Sequence, residues 1–116
     1  MGVAAYAVFV FITSVIPVDA RLAPGHVDKV AHVGEYLLFA WLLLQALRAT
    51  ASAPSPRGLI AWAAATGFGV AIEVIQAWLP WRSAELIDAL ANALGAALGV
   101  TIVPSFVFRV SRSIRN

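Results

Sequence analysis

The sequence has no cysteine, and charged side chains make up only 12% of its 116 residues. The absence of cysteine excludes a disulfide framework, a thiolate metal site and a cysteine nucleophile. A soluble domain has about 25% charged residues, whereas here 61% of the residues are hydrophobic and the mean hydropathy is +0.86. This composition excludes a soluble enzyme, a nucleic-acid binder and a disordered chain.

Four apolar runs alternate with short polar segments, and the length of the chain allows one domain. A helix needs about 20 apolar residues to cross the hydrocarbon core of a membrane. We therefore predict an all-α membrane protein, a compact bundle of four transmembrane helices with up-down connectivity in a single domain over residues 1–116. The predicted spans cover about residues 2–18, 30–47, 59–79 and 86–103.

The first apolar run is short, which leaves two interpretations. It is either a thin first span or a signal peptide cleaved after Val18-Asp19-Ala20. A signal peptide has a basic region before its apolar stretch, and Met1-Gly2 supplies none. We therefore favour a retained first helix.

Basic residues are unevenly distributed between the two ends of the predicted bundle. They are retained on the cytoplasmic side of a membrane, so the richer end, which includes the C-terminus, is predicted to be cytoplasmic. All the acidic residues fall on or near the outer side. The tail Ser105–Asn116 is typical of a stop-transfer segment that fixes topology, or of an interfacial segment attracted to anionic lipid. The basic residues are Arg48, Arg57, Arg109, Arg112 and Arg115 at the inner end, and Arg21, Lys29 and Arg82 at the outer end.

Polar side chains cluster on one face of each of the last three helices. A charged residue inside a span costs about 2.5 to 3.5 kcal/mol on insertion scales, so the clustering indicates a polar pocket that opens outward. Gly95 and Gly99, with Gly69 opposite, are predicted to let these helices approach closely. At about 100° per residue, the shared faces contain Asp28, Lys29, His32, Glu35 and Tyr36 on the second helix, Thr66, Gly69, Glu73 and Gln76 on the third, and Glu85, Asp88, Asn92, Gly95 and Gly99 on the fourth, with Arg82 just before it.

The order and spacing of these residues resemble the VanZ-like family of small bacterial membrane proteins, named after an accessory protein of teicoplanin resistance. The similarity begins at Asp28-Lys29-x-x-His32-x-x-x-Tyr36 and extends to Gly99. It implies a multi-pass protein of the bacterial cytoplasmic (inner) membrane, a cell-envelope function and a link to antibiotic resistance. Glu35 occupies a variable position of the family pattern. The candidate ligand-binding residues that match the pattern are Asp28, Lys29, His32, Tyr36, Glu73, Gln76, Arg82, Asp88 and Asn92.

A charge count limits what the predicted pocket can hold, since five acidic and two basic side chains give it a formal charge of −3. Some carboxylates stay protonated, or a cation joins them, or several face water. The excess argues against a simple phosphate pocket, although Lys29 and Arg82 could grip a phosphate whose metal ion the acids hold. A metal site of His32, Glu35 and Glu73 fits by ligand type, but the HxxE spacing is common. We predict no metal and no cofactor.

Each candidate also has a purely structural interpretation, because polar groups in membranes often fix helix register. Asp88 and Asn92 could form hydrogen bonds with Tyr36 and Gln76 across the bundle, and His32 could bond to Glu73. Arg82 could form an ion pair with Glu85 at the rim of the bundle. Lys29 could extend its side chain to the membrane interface without binding a ligand.

Three functional hypotheses can be argued from the residues, and a fourth, a structural partner subunit, has no sequence feature for or against it. The first is binding of a cell-envelope lipid, of a lipid-linked precursor or of a glycopeptide that targets one. The second is an intramembrane hydrolase or transferase acting on a lipid head group, with His32 as the base and Glu73 orienting it. In that mechanism Arg82 and Lys29 would stabilise the developing negative charge, but no GxSxG nucleophile motif is present.

The third hypothesis is a small proton-coupled transporter. It is disfavoured because the first helix has no ionisable group except Tyr6. The predicted partners are membrane lipids and an envelope lipid precursor, without nucleic acid. The sequence leaves open the oligomeric state and whether the protein is an enzyme.

Overall fold

The protein folds into four helices and no strand over the residues that the computed structural model describes, which are 2–17, 25–50 and 56–116. The predicted all-α bundle is confirmed. The candidate cleavage site at residues 18–20 and Arg21 lie outside the described residues. The helices are α1 (Val3–Val15), α2 (Gly25–Thr50), α3 (Arg57–Trp78) and α4 (Leu86–Arg115).

Three of the helices are long and apolar enough to cross a membrane, over Val27–Ala49, Arg57–Trp78 and Leu86–Arg115. Helix α1 is also apolar but has only 13 residues. At 1.5 Å per residue it is about 20 Å long, shorter than the roughly 30 Å hydrocarbon core. Helix α1 ends at Val15, before the predicted boundary at residue 18. The carbonyl groups at its C-terminal end need hydrogen-bond partners from elsewhere in the bundle.

Helix α4 continues beyond the apolar run that predicted it. Its predicted end was residue 103, but the helix runs through Pro104 to Arg115. Proline removes one main-chain hydrogen bond, here the one to the carbonyl of Val100, and membrane helices tolerate such a loss. The Thr101 hydroxyl donates to the carbonyl of Ala97 at 2.6 Å, and the Ser105 hydroxyl donates to that of Thr101 at 2.9 Å. The C-terminal segment is thus part of a long helix.

The contacts between helix ends give the up-down arrangement of the bundle. Lys29, at the start of α2, contacts Asp88, at the start of α4. Gln76, near the end of α3, donates to the carbonyl of Ser14, near the end of α1. The starts of α2 and α4 therefore meet the ends of α1 and α3 at one end of the bundle, which we call the polar end.

Helices α2 and α4 form the closest contact of the bundle. A Cβ atom built on Gly95 would overlap the backbone carbonyl of Val33, and one built on Gly99 would overlap that of Leu37. Both glycines thus allow the α4 backbone to lie directly against the α2 backbone, as small residues do in membrane proteins.

The hydrophobic core is small and lies between the helices. It includes Tyr6, Tyr36 and Phe39, and the ring of Phe39 meets that of Phe68 edge-on at 5.1 Å between centroids. Only 22% to 33% of the residues in each membrane-length window are buried inside the protein. The remaining apolar side chains form an exterior suited to lipid, in accord with a membrane protein.

Candidate functional site

Three acidic side chains surround Lys29 at the polar end. Its ammonium group donates to Asp88 and to Glu85, the latter at 2.6 Å, and lies 3.8 Å from Asp28. Asp88 is in the first turn of α4 and Glu85 directly precedes the helix. The positive end of the α4 dipole therefore also stabilises both carboxylates. We call these four residues the acid–lysine cluster, in which carboxylates outnumber the ammonium group three to one.

His32 lies one turn further into the membrane than the acid–lysine cluster. Its Nδ1 atom is 3.0 Å from Oδ1 of Asn92, which is only 1% exposed. Because an amide oxygen accepts hydrogen bonds, this contact is a hydrogen bond when Nδ1 carries the proton. The other ring nitrogen, Nε2, faces Asp28 at 3.7 Å and Asp88 at 3.9 Å. Asn92 therefore orients the imidazole towards the acids.

Within the described ranges, Asp28, His32 and Asp88 have the geometry to hold a metal ion, since one ligand atom from each lies within 4.8 Å of the others. Carboxylate and imidazole ligands suit divalent cations, and the Asn92 bond resembles the second-shell bond of many metal-binding histidines. This set differs from the alternative of His32, Glu35 and Glu73. Lys29 already places a positive charge beside Asp28 and Asp88, so these acids have a cationic partner without a metal ion. The absence of a metal stays a prediction.

Further into the bundle than the acid–lysine cluster, several buried oxygen atoms lack hydrogen-bond partners. Glu73 is 7% exposed; its Oε2 accepts the backbone N–H of Glu85 at 3.0 Å, which leaves Oε1 unpaired. A Cβ atom on Gly69 would lie 3.0 Å from Asn92 and from the Tyr36 ring, so this glycine makes room for both side chains. In the described part of the chain, the buried side-chain oxygens without a partner belong to Glu35, Tyr36, Thr66, Glu73 and Gln76.

Three side chains from α3 and the turn after it cap the C-terminal end of α1. The last four carbonyls of a helix have no partner within it, and an unpaired carbonyl in a bilayer costs several kcal/mol. The positive charge of Arg82 also complements the negative end of the helix dipole. The α1 cap consists of Gln76 to the carbonyl of Ser14 (2.8 Å), Trp81 to that of Val15 (2.8 Å), and Arg82 to those of Thr13 (2.7 Å) and Ile16 (3.2 Å).

The structure replaces the pairings expected from the sequence. Arg82 bonds to the α1 backbone and not to Glu85, because α1 ends early and leaves its carbonyls open. His32 bonds to Asn92 and not to Glu73, so the proposed base and its orienting acid are not joined. Lys29 and Arg82 both make contacts within the protein, and a phosphate held by these two residues stays a prediction.

Asp88 and Asn92 likewise differ from their expected partners. Asp88 pairs with Lys29, and Asn92 with His32, whereas Gln76 belongs to the α1 cap. Two contributors were outside the candidate ligand-binding residues: Glu85 in the acid–lysine cluster and Trp81 in the α1 cap. The sequence placed Glu85 on the polar face of the fourth helix, three residues from Asp88, but not among the residues that match the family pattern.

The α1 cap gives a prediction for Arg82→Ala. Loss of hydrogen bonds from a charged donor, worth about 1.5 to 3 kcal/mol, should loosen α1 from the bundle. We expect the α1 amides to exchange with deuterium about tenfold faster or more, since about 1.4 kcal/mol corresponds to tenfold. Hydrogen–deuterium exchange mass spectrometry in detergent measures this.

The control for this variant is Arg115→Ala, which removes the same charge at the far end of α4. Arg82→Lys, which keeps the charge but not the fork of donors, should give an intermediate rate. If α1 exchanges equally fast in the wild type and in Arg82→Ala, the cap does not hold α1.

Comparison with known families adds one finding to this geometry. A family model described as VanZ/LLP1 matches residues 3–109, a range that contains every residue of the acid–lysine cluster and of the α1 cap. Neither the curated proteins nor the solved structures give a match.

Proposed function

The chain belongs to the VanZ-like family, and from this premise we propose that it binds the head group of a cell-envelope lipid or lipid-linked precursor at the polar end. The observation that carries the proposal is the set of buried, unpartnered oxygens beside an excess of carboxylates. Buried polar groups are almost always hydrogen-bonded, so the unpartnered oxygens of Glu73 and Gln76 near the polar end indicate a place where a ligand supplies the partners.

The chemistry of the polar end favours a head group rich in hydrogen-bond donors. Glu73 and Gln76 each offer an unpaired acceptor oxygen, and the Tyr36 hydroxyl can donate or accept. Lys29 and Arg82 are engaged by other residues, and the remaining charge is negative. Sugar hydroxyls, amides and ammonium groups suit such a site better than a bare phosphate does.

Exposure decreases from the rim of the site to its base, which supports entry from the membrane surface. The side chains of Glu85 and Asp28 are 48% and 41% exposed, that of Lys29 28%, and that of Asp88 9%. We place the polar end on the outer side of the bacterial cytoplasmic membrane, with the C-terminus in the cytoplasm. There a bound envelope lipid would alter susceptibility to teicoplanin, as the family name suggests.

Native mass spectrometry of the detergent-purified protein tests this function, with wild type, Glu73→Gln and Gln45→Ala compared. Glu73→Gln keeps the shape of a buried acceptor and removes its charge, whereas Gln45 is exposed near the other end of α2. We expect a discrete lipid adduct on the wild type and on Gln45→Ala, reduced about tenfold or more in Glu73→Gln, since hydrogen bonds to a charged group are worth about 1.5 to 3 kcal/mol.

The same variants are then compared for teicoplanin susceptibility in cells. Expression of the wild type should change the inhibitory concentration, and Glu73→Gln should not. A Glu73→Gln protein with wild-type helix content that retains the adduct and the phenotype would refute the proposed site.

A further inference from the structure

A groove of about 870 Å³ lies at the end of the bundle opposite the polar end, between the last turns of α2 and the C-terminal part of α4. We call it the basic groove. Arg48 comes from α2, whereas the α4 residues follow the spacing of a single helical face, at positions 105, 108, 109, 112 and 113. The residues that line it include Arg48, Phe108, Arg109, Arg112, Ser113 and Asn116.

No acidic side chain is among the described residues that line the basic groove. The nearest acids along α2 and α4 are Glu35 and Asp88, 13 residues from Arg48 and 21 from Arg109, or about 20 and 30 Å along a helix. Arg48 donates to the amide oxygen of Gln45, at 3.5 Å. Three arginines thus line the groove without an acidic side chain of α2 or α4 close enough along either helix to balance them.

The length of α4 places the basic groove at the membrane surface. Its 30 residues extend about 45 Å, beyond the roughly 30 Å hydrocarbon core. Phe106 and Phe108 in this last part are 66% and 63% exposed. Aromatic side chains beside arginines are typical of a helix at the head-group level of a bilayer.

We propose that the basic groove binds a phosphate ester group, the chemistry shared by the head groups of anionic membrane lipids and by free phosphate compounds. The guanidinium forks of Arg109 and Arg112 on α4 and of Arg48 on α2 would hold the phosphate oxygens from two sides, with the Ser113 hydroxyl as a further donor. Such a bond would join α2 to the end of α4. This site is separate from the polar end and does not depend on the proposed function.

Arg115 is a matched control, because it lies on the same helix outside the basic groove. It lines a different, apolar surface with Phe106 and Ile114. A general attraction of positive charge to an anionic membrane predicts equal effects for Arg112→Ala and Arg115→Ala. A phosphate site predicts a large loss of bound phosphate ester for Arg112→Ala but not for Arg115→Ala.

The experiment uses full-length protein in nanodiscs of phosphatidylcholine with one fifth phosphatidylglycerol, released into the mass spectrometer to count retained lipids. We expect retained phosphatidylglycerol on the wild type and on Arg115→Ala, and about tenfold less on Arg109→Ala and Arg112→Ala. Arg112→Lys should fall between them, because lysine keeps the charge but not the fork.

A second arm adds inorganic phosphate to the protein in pure phosphatidylcholine nanodiscs and measures thermal stabilisation. Stabilisation that Arg112→Ala loses would identify free phosphate as a ligand, and lipid retention in the first arm would identify a lipid. Either result supports the phosphate site. Equal loss in Arg112→Ala and Arg115→Ala, or no binding in both arms, would overturn it.

Discussion

Replacement of Lys29 by methionine is expected to destabilise the bundle by about 3 kcal/mol. Breaking a buried ion pair by removing one partner costs about 3 to 5 kcal/mol, and the 28% exposure of Lys29 places this pair at the lower end. The cost arises because the Asp88 carboxyl group, 6% exposed, loses its ammonium partner beside two other acids. Helix content followed by circular dichroism during denaturation in detergent measures the change in unfolding free energy.

The double variant Lys29→Met/Asp88→Asn separates charge imbalance from lost packing. It should recover about 1 to 2 kcal/mol, since contacting residues are coupled by about 0.5 to 3 kcal/mol. Glu85→Gln is the control, because its carboxylate is 48% exposed and an exposed pair contributes about 0 to 1 kcal/mol. Wild-type stability of Lys29→Met would show that Asp88 does not depend on the ammonium group.

Hydropathy was sufficient to predict the number and type of helices, because an apolar run of membrane length can satisfy its backbone hydrogen bonds in few structures other than a helix. It was less informative about helix ends. Helix α2 begins at Gly25, before its apolar run, since its first turns carry the polar residues of the site. Helix α4 passes Pro104 because a proline breaks a single main-chain bond there.

The residues of the site were predictable where one helix places them together. A rotation of about 100° per residue puts Asp28 and His32, or Asp88 and Asn92, on one face, and the structure brings these two faces into contact. The partners of Arg82 were not predictable in this way. They depend on where α1 ends in space, which is a tertiary property.

Gly95→Ala is expected to destabilise the contact of α2 with α4 by about 1 to 3 kcal/mol, the usual cost of overpacking. The added Cβ would overlap the carbonyl of Val33, which is backbone and cannot rotate away as a side chain could. The two helices must therefore separate. Gly34→Ala is the matched control, because it lies on α2 with no atom within 4 Å of an added Cβ.

For Gly34→Ala we expect no loss, or a gain of up to about 1 kcal/mol from helix propensity. Comparison of the two unfolding free energies in the same detergent removes the propensity contribution that both substitutions share. Separation of α2 from α4 should also disturb the polar end, because His32 adjoins Val33 and Asn92 lies one turn before Gly95. The 3.0 Å bond between His32 and Asn92 would lengthen, so Gly95→Ala should lose the lipid adduct together with stability. Equal stability of the two alanine variants would mean that the helices do not pack through Gly95.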